Sequence, residues 1–148
     1  MRLLWTIALT LIAGALGFAV YQQKIVNPDV ARELRTQPEG ERARRVMLMT
    51  IDDRNTLPVN YLREGDVVYV GADGPWWREL RGAGLPVTLL IQGEAFAGHA
   101  RAVVDRPDFT SEVFERLRPT VPAWLPDWLN GVLIVIDLQG GKNDSNTS

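Results

Sequence analysis

Val46-Met47-Leu48-Met49-Thr50-Ile51-Asp52-Asp53-Arg54-Asn55-Thr56-Leu57-Pro58-Val59-Asn60-Tyr61-Leu62 is the stretch that decides the fold. Val46 to Ile51 is an almost unbroken apolar run, Asp52 to Asn55 is rich in turn formers, and an extended pattern resumes at Thr56. That order reads as a β-hairpin. A second turn, Arg63-Glu64-Gly65-Asp66, leads into Val67-Val68-Tyr69-Val70-Gly71-Ala72. Further strand candidates are Val87 to Ile91, Glu94 to Val104 and Val132 to Leu138, with Gln92-Gly93 as a tight turn between two of them. Six short strands and little helix predict a mainly β, largely antiparallel domain, a barrel or a sandwich.

The segment between the third and fourth strands carries the chemical signal. In Ala72-Asp73-Gly74-Pro75-Trp76-Trp77-Arg78-Glu79-Leu80-Arg81-Gly82 a strand ends and a short helix begins, with Gly74 at the N-cap, Pro75 in the first turn and Gly82 as the stop. Backbone N–H groups at such a helix start attract anions, Arg78 and Arg81 can supplement them, and Trp76 and Trp77 offer faces to a flat ring. The pattern suits a phosphorylated, flat cofactor. It also suits a helix whose tryptophans seal a barrel end, and Asp73 repels an anion if it faces the site.

Outward toward the N-terminus, Leu3 to Tyr21 is a run of uncharged residues broken only by Thr6, Thr10, Gly14 and Gly17, about the length of a helix that crosses hydrocarbon. The reading is a single-pass membrane anchor over residues 1–23; the competing one is a signal peptide cleaved near Gly17-Phe18-Ala19. Lys24, Arg32 and Arg35 follow the run and only Arg2 precedes it, which places the globular part in the cytoplasm. Asn27-Pro28-Asp29, with Val30 and Leu34 four apart, predicts a short juxtamembrane helix ending near Gln37-Pro38-Glu39-Gly40. Residues 24–41 then read as juxtamembrane helix and linker, 42–138 as the barrel domain, and 139–148 as a polar, disordered tail. Two sequons in that tail, Asn143-Asp144-Ser145 and Asn146-Thr147-Ser148, go unmodified at a cytoplasmic terminus.

Composition removes several classes of function. A formal charge of -2 over 148 residues speaks against nucleic acid as a partner. The chain has no cysteine, so it forms no disulfide, thiolate site or cysteine nucleophile. A single histidine, His99, leaves zinc cages and histidine triads poorly supplied. His99 reads as a strand residue sharing a face with Arg101 and Val103, while Phe96, Gly98, Ala100 and Ala102 share the other. Asp108 to Arg118 reads as an amphipathic helix with Phe109, Val113 and Leu117 on its buried stripe, expected to cover one open end of the barrel. After it, Pro119-Thr120-Val121-Pro122-Ala123-Trp124-Leu125-Pro126-Asp127-Trp128-Leu129 reads as an apolar loop that packs on the barrel, lids a substrate or meets the bilayer interface.

Val46 to Ile51, Leu57-Pro58-Val59-Asn60-Tyr61-Leu62, Glu64-Gly65-Asp66, Trp76-Trp77-Arg78-Glu79-Leu80 and Pro86-Val87-Thr88-Leu89 together resemble the deazaflavin-dependent nitroreductase and quinone reductase family. That family belongs to the flavin and deazaflavin oxidoreductases with the split β-barrel fold of pyridoxamine-phosphate oxidases. The resemblance spans about residues 44 to 138 and lies in order and spacing. It implies a six-stranded split β-barrel holding a deazaflavin, or in related branches FMN or heme, and passing a hydride to a small apolar acceptor such as a quinone or a nitro compound. Ala72, Asp73 and Gly74 fall where the family wraps the cofactor phosphate, and Trp76 and Trp77 fall on its tryptophan-led pair. Arg54 and Arg78 complete the candidate cofactor-binding set; no catalytic residue and no metal ligand is assigned. By analogy with this barrel class a homodimer is expected.

The departures are specific. Where the family carries a basic, glycine-rich turn, this chain has Asp52-Asp53-Arg54-Asn55-Thr56-Leu57, with Arg54 as the sole basic residue, and Glu79 stands where an amide is expected. These departures support an alternative reading, a cofactor-free, membrane-tethered binding or scaffolding module.

Overall fold

The computed structural model describes residues 1–21, 27–122, 124, 125 and 131–140. Lys24, loop positions 123 and 126–130, and tail positions 141–148 with both sequons lie outside the described residues. Six strands, β1 (Val46–Ile51), β2 (Asn55–Glu64), β3 (Val67–Ala72), β4 (Leu85–Ile91), β5 (Glu94–Val103) and β6 (Val132–Leu138), form a closed barrel in the order β1-β2-β3-β6-β5-β4. Every neighbouring pair is antiparallel. The turns follow their residue chemistry. Asp52 and Asp53 both take left-handed backbone, with φ of 47° and 54°, which aspartate tolerates better than most side chains. Gln92 and Gly93, at 48° and 82°, make the mirror-image two-residue turn that matches strand twist.

Alternation along the strands separates inside from outside. Met47, Met49 and Ile51 of β1, Val68, Val70 and Ala72 of β3, Val87, Leu89 and Ile91 of β4 and Ile134 and Ile136 of β6 fill the barrel. The near-continuous apolar runs of β1 and β6 arise because these strands are covered on both faces. Outward-facing Leu48 packs with Leu34 of α2 (Asn27–Thr36) and with Ala43, while Leu133 and Val135 pack with Val113 and Phe114 of α3 (Pro107–Leu117). The expectation that the amphipathic helix closes a barrel end is therefore corrected. α3 lies on the outer face of β3 and β6, where Val67 and Tyr69 complete its contact surface. The barrel is plugged instead by the 3₁₀ helix Pro75–Leu80, whose fully buried Leu80 and flanking Trp76 and Trp77 pack against the interior cluster.

The N-terminal helix α1 runs Arg2–Tyr21. Leu3, Leu4, Trp5, Leu9, Leu11 and Leu16 are all more than 60 % exposed. Among the described residues no helix is long and apolar enough to cross a membrane. The crossing helix expected from the sequence is thus not established by the fold.

Two measurements check this architecture. Leu34 is 3 % exposed, so Leu34→Ala should lower unfolding stability by about 2–4 kcal/mol in urea denaturation, as deleting a buried leucine does. A loss below about 0.5 kcal/mol would mean that α2 is not docked. Tyr61 donates its hydroxyl to the Ala43 carbonyl at 3.2 Å. Burial raises its pKa above the ordinary 10.0, against a smaller lowering by Arg63. The native state therefore binds this proton more tightly than the unfolded chain. The contribution to stability is complete below pH 10 or so and is lost as pH rises through the raised native value. Tyr61→Phe should remove about 1 kcal/mol at neutral pH and flatten that alkaline loss in melts recorded from pH 8 to 11.

Candidate functional site

β2 divides its length between two neighbours. From Asn55 to Asn60 it pairs with β1, and only from Tyr61 to Glu64 does it pair with β3. Its first half therefore lies unpaired on the β3 side, opposite the end of β3 at Gly71 and Ala72. Pro58 falls in this half; having no N–H to donate, proline is tolerated where a ladder bond is not required. The divergence leaves a groove of about 640 Å³ lined by Asn55, Thr56, Leu57, Pro58, Val59, Asn60, Gly71, Asp73, Gly74, Trp76 and Arg118, within the usual volume range of small-molecule sites. A second hollow, of about 470 Å³ beside Glu33, Glu41, Arg42 and Arg45, has its charges engaged with each other. Arg42 meets Glu33 at 3.0 Å and Arg45 meets Glu41 at 2.7 Å.

The groove gathers part of the predicted set. Asp73, Gly74 and Trp76 line it. Ala72 is buried in the barrel interior, and the chain entering β6 covers it. A Cβ on Gly131, at φ +83°, would stand 2.3 Å from the Ala72 carbonyl oxygen. Trp77 packs on the interior cluster and carries the guanidinium groups of Arg78 and Arg81 over its ring at 5.9 and 5.7 Å. Arg78 is exposed and is not among the groove residues. Arg54, in the β1–β2 turn, meets Asp52 at 3.1 Å and Glu79 at 4.0 Å and likewise does not line the groove.

The helix expected to start at Pro75 is a six-residue 3₁₀ segment. Its tighter winding and poorer hydrogen-bond geometry give a weaker aligned dipole than an α-helix of several turns. His99 bonds through Nε2 to the Ala83 carbonyl and does not line the groove, so the chain's imidazole is not placed to ligate a heme there.

The cation of the groove is Arg118, which the sequence did not single out. It follows α3 directly, and its guanidinium lies over the Phe114 ring at 5.4 Å. Its Nη2 donates to both carboxylate oxygens of Asp73, at 3.0 and 3.1 Å, and to the Gly71 carbonyl at 3.3 Å. Arg118 thus serves the end of β3 at the place where β2 has turned away. The side chain is 17 % exposed, against 72 % for Asp73. No local pattern marks it, since its partners lie 45 and 47 positions away. Gly71 makes the approach possible, because a Cβ there would stand 2.6 Å from Arg118 Nη2 and 2.8 Å from Phe114 Cε1.

No family model matches the chain, and no curated protein is similar to it. Among solved structures it is similar to a Listeria innocua protein assigned as a pyridoxamine 5'-phosphate oxidase, with 16% identity and a TM-score of 0.49, over 65% of this chain and 85% of that one.

Gly71→Ala tests this arrangement. The added methyl must push Arg118 and Phe114 aside, an overpacking cost of about 1–3 kcal/mol. It should also release Asp73, visible as a change in amide exchange at the end of β3. A variant as stable as the parent would show that Arg118 does not sit against Gly71.

Proposed function

We propose that the split between β2 and β3 binds a flat redox-active ring of the flavin, deazaflavin or quinone kind, and that the chain acts as a membrane-attached oxidoreductase. The observation that carries this reading is the groove itself. It joins Leu57 to Asn60 with Asp73 to Trp76, two stretches that share the resemblance to flavin and deazaflavin oxidoreductases. Asn55, Asn60 and Trp76 line it, and the half of β2 unpaired with β3 contributes backbone groups. Such a lining orients a ring with polar edges. A bound flavin or deazaflavin in its reduced form would supply the hydride and become oxidised, and an apolar acceptor such as a quinone or nitro compound would take it together with a proton from solvent.

The phosphate end of these cofactors does not fit the residues present. Arg54 is held by Asp52 and Glu79, Arg78 rests over Trp77, and Asp73 puts a carboxylate into the groove. The same observations favour the second reading, a binding module that has kept the barrel without its redox chemistry.

The membrane part of the proposal is supported by α1, whose large apolar side chains are exposed along the helix from Leu3 to Leu16. An apolar helix with no stripe of polar residues is stable when surrounded by apolar material. The cationic flank Lys24, Arg32 and Arg35 favours a cytoplasmic barrel. A homodimer of barrels belongs to the same proposal.

Titrating the chain in detergent with riboflavin, FMN, a deazaflavin and menadione, followed by tryptophan fluorescence, tests the ring site. Saturable quenching by at least one ring compound is expected, and Trp76→Leu should weaken it about 2- to 12-fold, from an aromatic contribution of about 0.5–1.5 kcal/mol. No response to any of the four rings would remove the oxidoreductase reading. For the membrane, the full chain should stay with the pellet after an alkaline carbonate wash, and a version lacking residues 1–23 should not. Full-length chain in the supernatant would overturn the anchor.

A further inference from the structure

We propose that Asp73 makes the split groove selective for uncharged ring ligands, by holding Arg118 in the position that a ligand's phosphate would need. The proposal rests on the ring-binding reading and adds the class of ligand to it. Arg118 is the basic side chain among the residues that line the groove. Its Nη2 already faces both oxygens of Asp73 at 3.0 and 3.1 Å while also serving the Gly71 carbonyl. A phosphate arriving at this guanidinium must either displace the carboxylate or sit beside it, and two like charges a few ångströms apart repel. Among the described residues no other cation lines the groove, and the Arg54 guanidinium faces Asp52 and Glu79.

The backbone offers little compensation. The neighbouring 3₁₀ helix begins with Pro75, which lacks an N–H. A ligand with no charge leaves the Asp73–Arg118 pair intact and still meets Trp76, Asn55 and Asn60. The groove of this chain therefore takes the unphosphorylated form of a ring compound in preference to its phosphate ester.

Riboflavin and FMN differ only by the phosphate and test the idea on the full chain in detergent. The wild type should bind riboflavin at least about 10-fold more tightly than FMN. Asp73→Asn, which keeps the side-chain size at a position 72 % exposed, should narrow or reverse that preference by about 10-fold. Adding Arg118→Gln to Asp73→Asn should cancel the gain for FMN. Wild-type affinity for FMN equal to or above that for riboflavin overturns the proposal, as does an Asp73→Asn variant with an unchanged ratio.

A parallel measurement with inorganic phosphate separates failure of this proposal from failure of the ring site. Phosphate should raise the melting temperature of Asp73→Asn saturably and leave the wild type unmoved. If neither flavin binds, the ring-binding reading falls, and the phosphate comparison alone decides the role of Asp73. A gain confined to Asp73→Asn supports it, and equal responses in both proteins refute it.

Discussion

A strand can hydrogen-bond to at most one neighbour on each side, and in this barrel β2 keeps company with β3 over its last four residues only, Tyr61 to Glu64. The rest of the molecule answers that constraint. The barrel closes through β1 with β4 and through β3 with β6, so the unpaired length of β2 opens a groove without unravelling the sheet. A buried backbone carbonyl requires a partner, and at Gly71 that partner is the Arg118 guanidinium. The same guanidinium draws in Asp73, so a need created by strand geometry becomes the electrostatic character of the candidate site.

Covering both faces of selected strands is the second organising feature. β1 and β6 are apolar outside as well as inside, and each carries a helix on its outer surface. α3 is held there by the packing of Val113 and Phe114 and by an ion pair, since Arg116 meets both Glu64 of β2 and Glu112 of its own helix. Exposed ion pairs of this kind contribute little to stability, so packing fixes the helix and the pair sets its register against the β2–β3 hairpin. Arg118 lies at the end of α3 and reaches the groove because the helix is fixed in this place. Displacing α3 would therefore alter the groove through Arg118, whose guanidinium lies over the Phe114 ring.

The barrel and its candidate site were legible to different degrees. β1, β3 and β6 have the limits that their apolar runs and turn residues imply, and the turns at Asp52-Asp53 and Gln92-Gly93 are where aspartate, glutamine and glycine put them. Gly74, Pro75 and Gly82 bracket a short helix as their backbone preferences require, although it winds as a 3₁₀ segment. The place of α3 is not written in its sequence. Periodicity reveals that a helix has an apolar face but not which surface receives it, and the outward residues Val67, Tyr69, Leu133 and Val135 that receive α3 are scattered over two strands distant in sequence.

The sequence by itself determined the elements, because strand alternation, turn chemistry and helix amphipathicity act over a few residues and leave their period in the chain. It also determined the apolar, uncharged run of α1 from Leu3 onward and the departure at Asp52 to Asn55 from a basic turn. Tertiary structure alone decided which charges meet. Arg54 and Arg78, the two cations of the expected set, rest on Asp52 and Trp77. Arg118, 45 positions from Asp73, stands in the groove. Coulomb and hydrogen-bond energies depend on distance in space, and a barrel closed by pairs such as β1 with β4 and β3 with β6 brings together residues whose separation along the chain carries no trace of that contact.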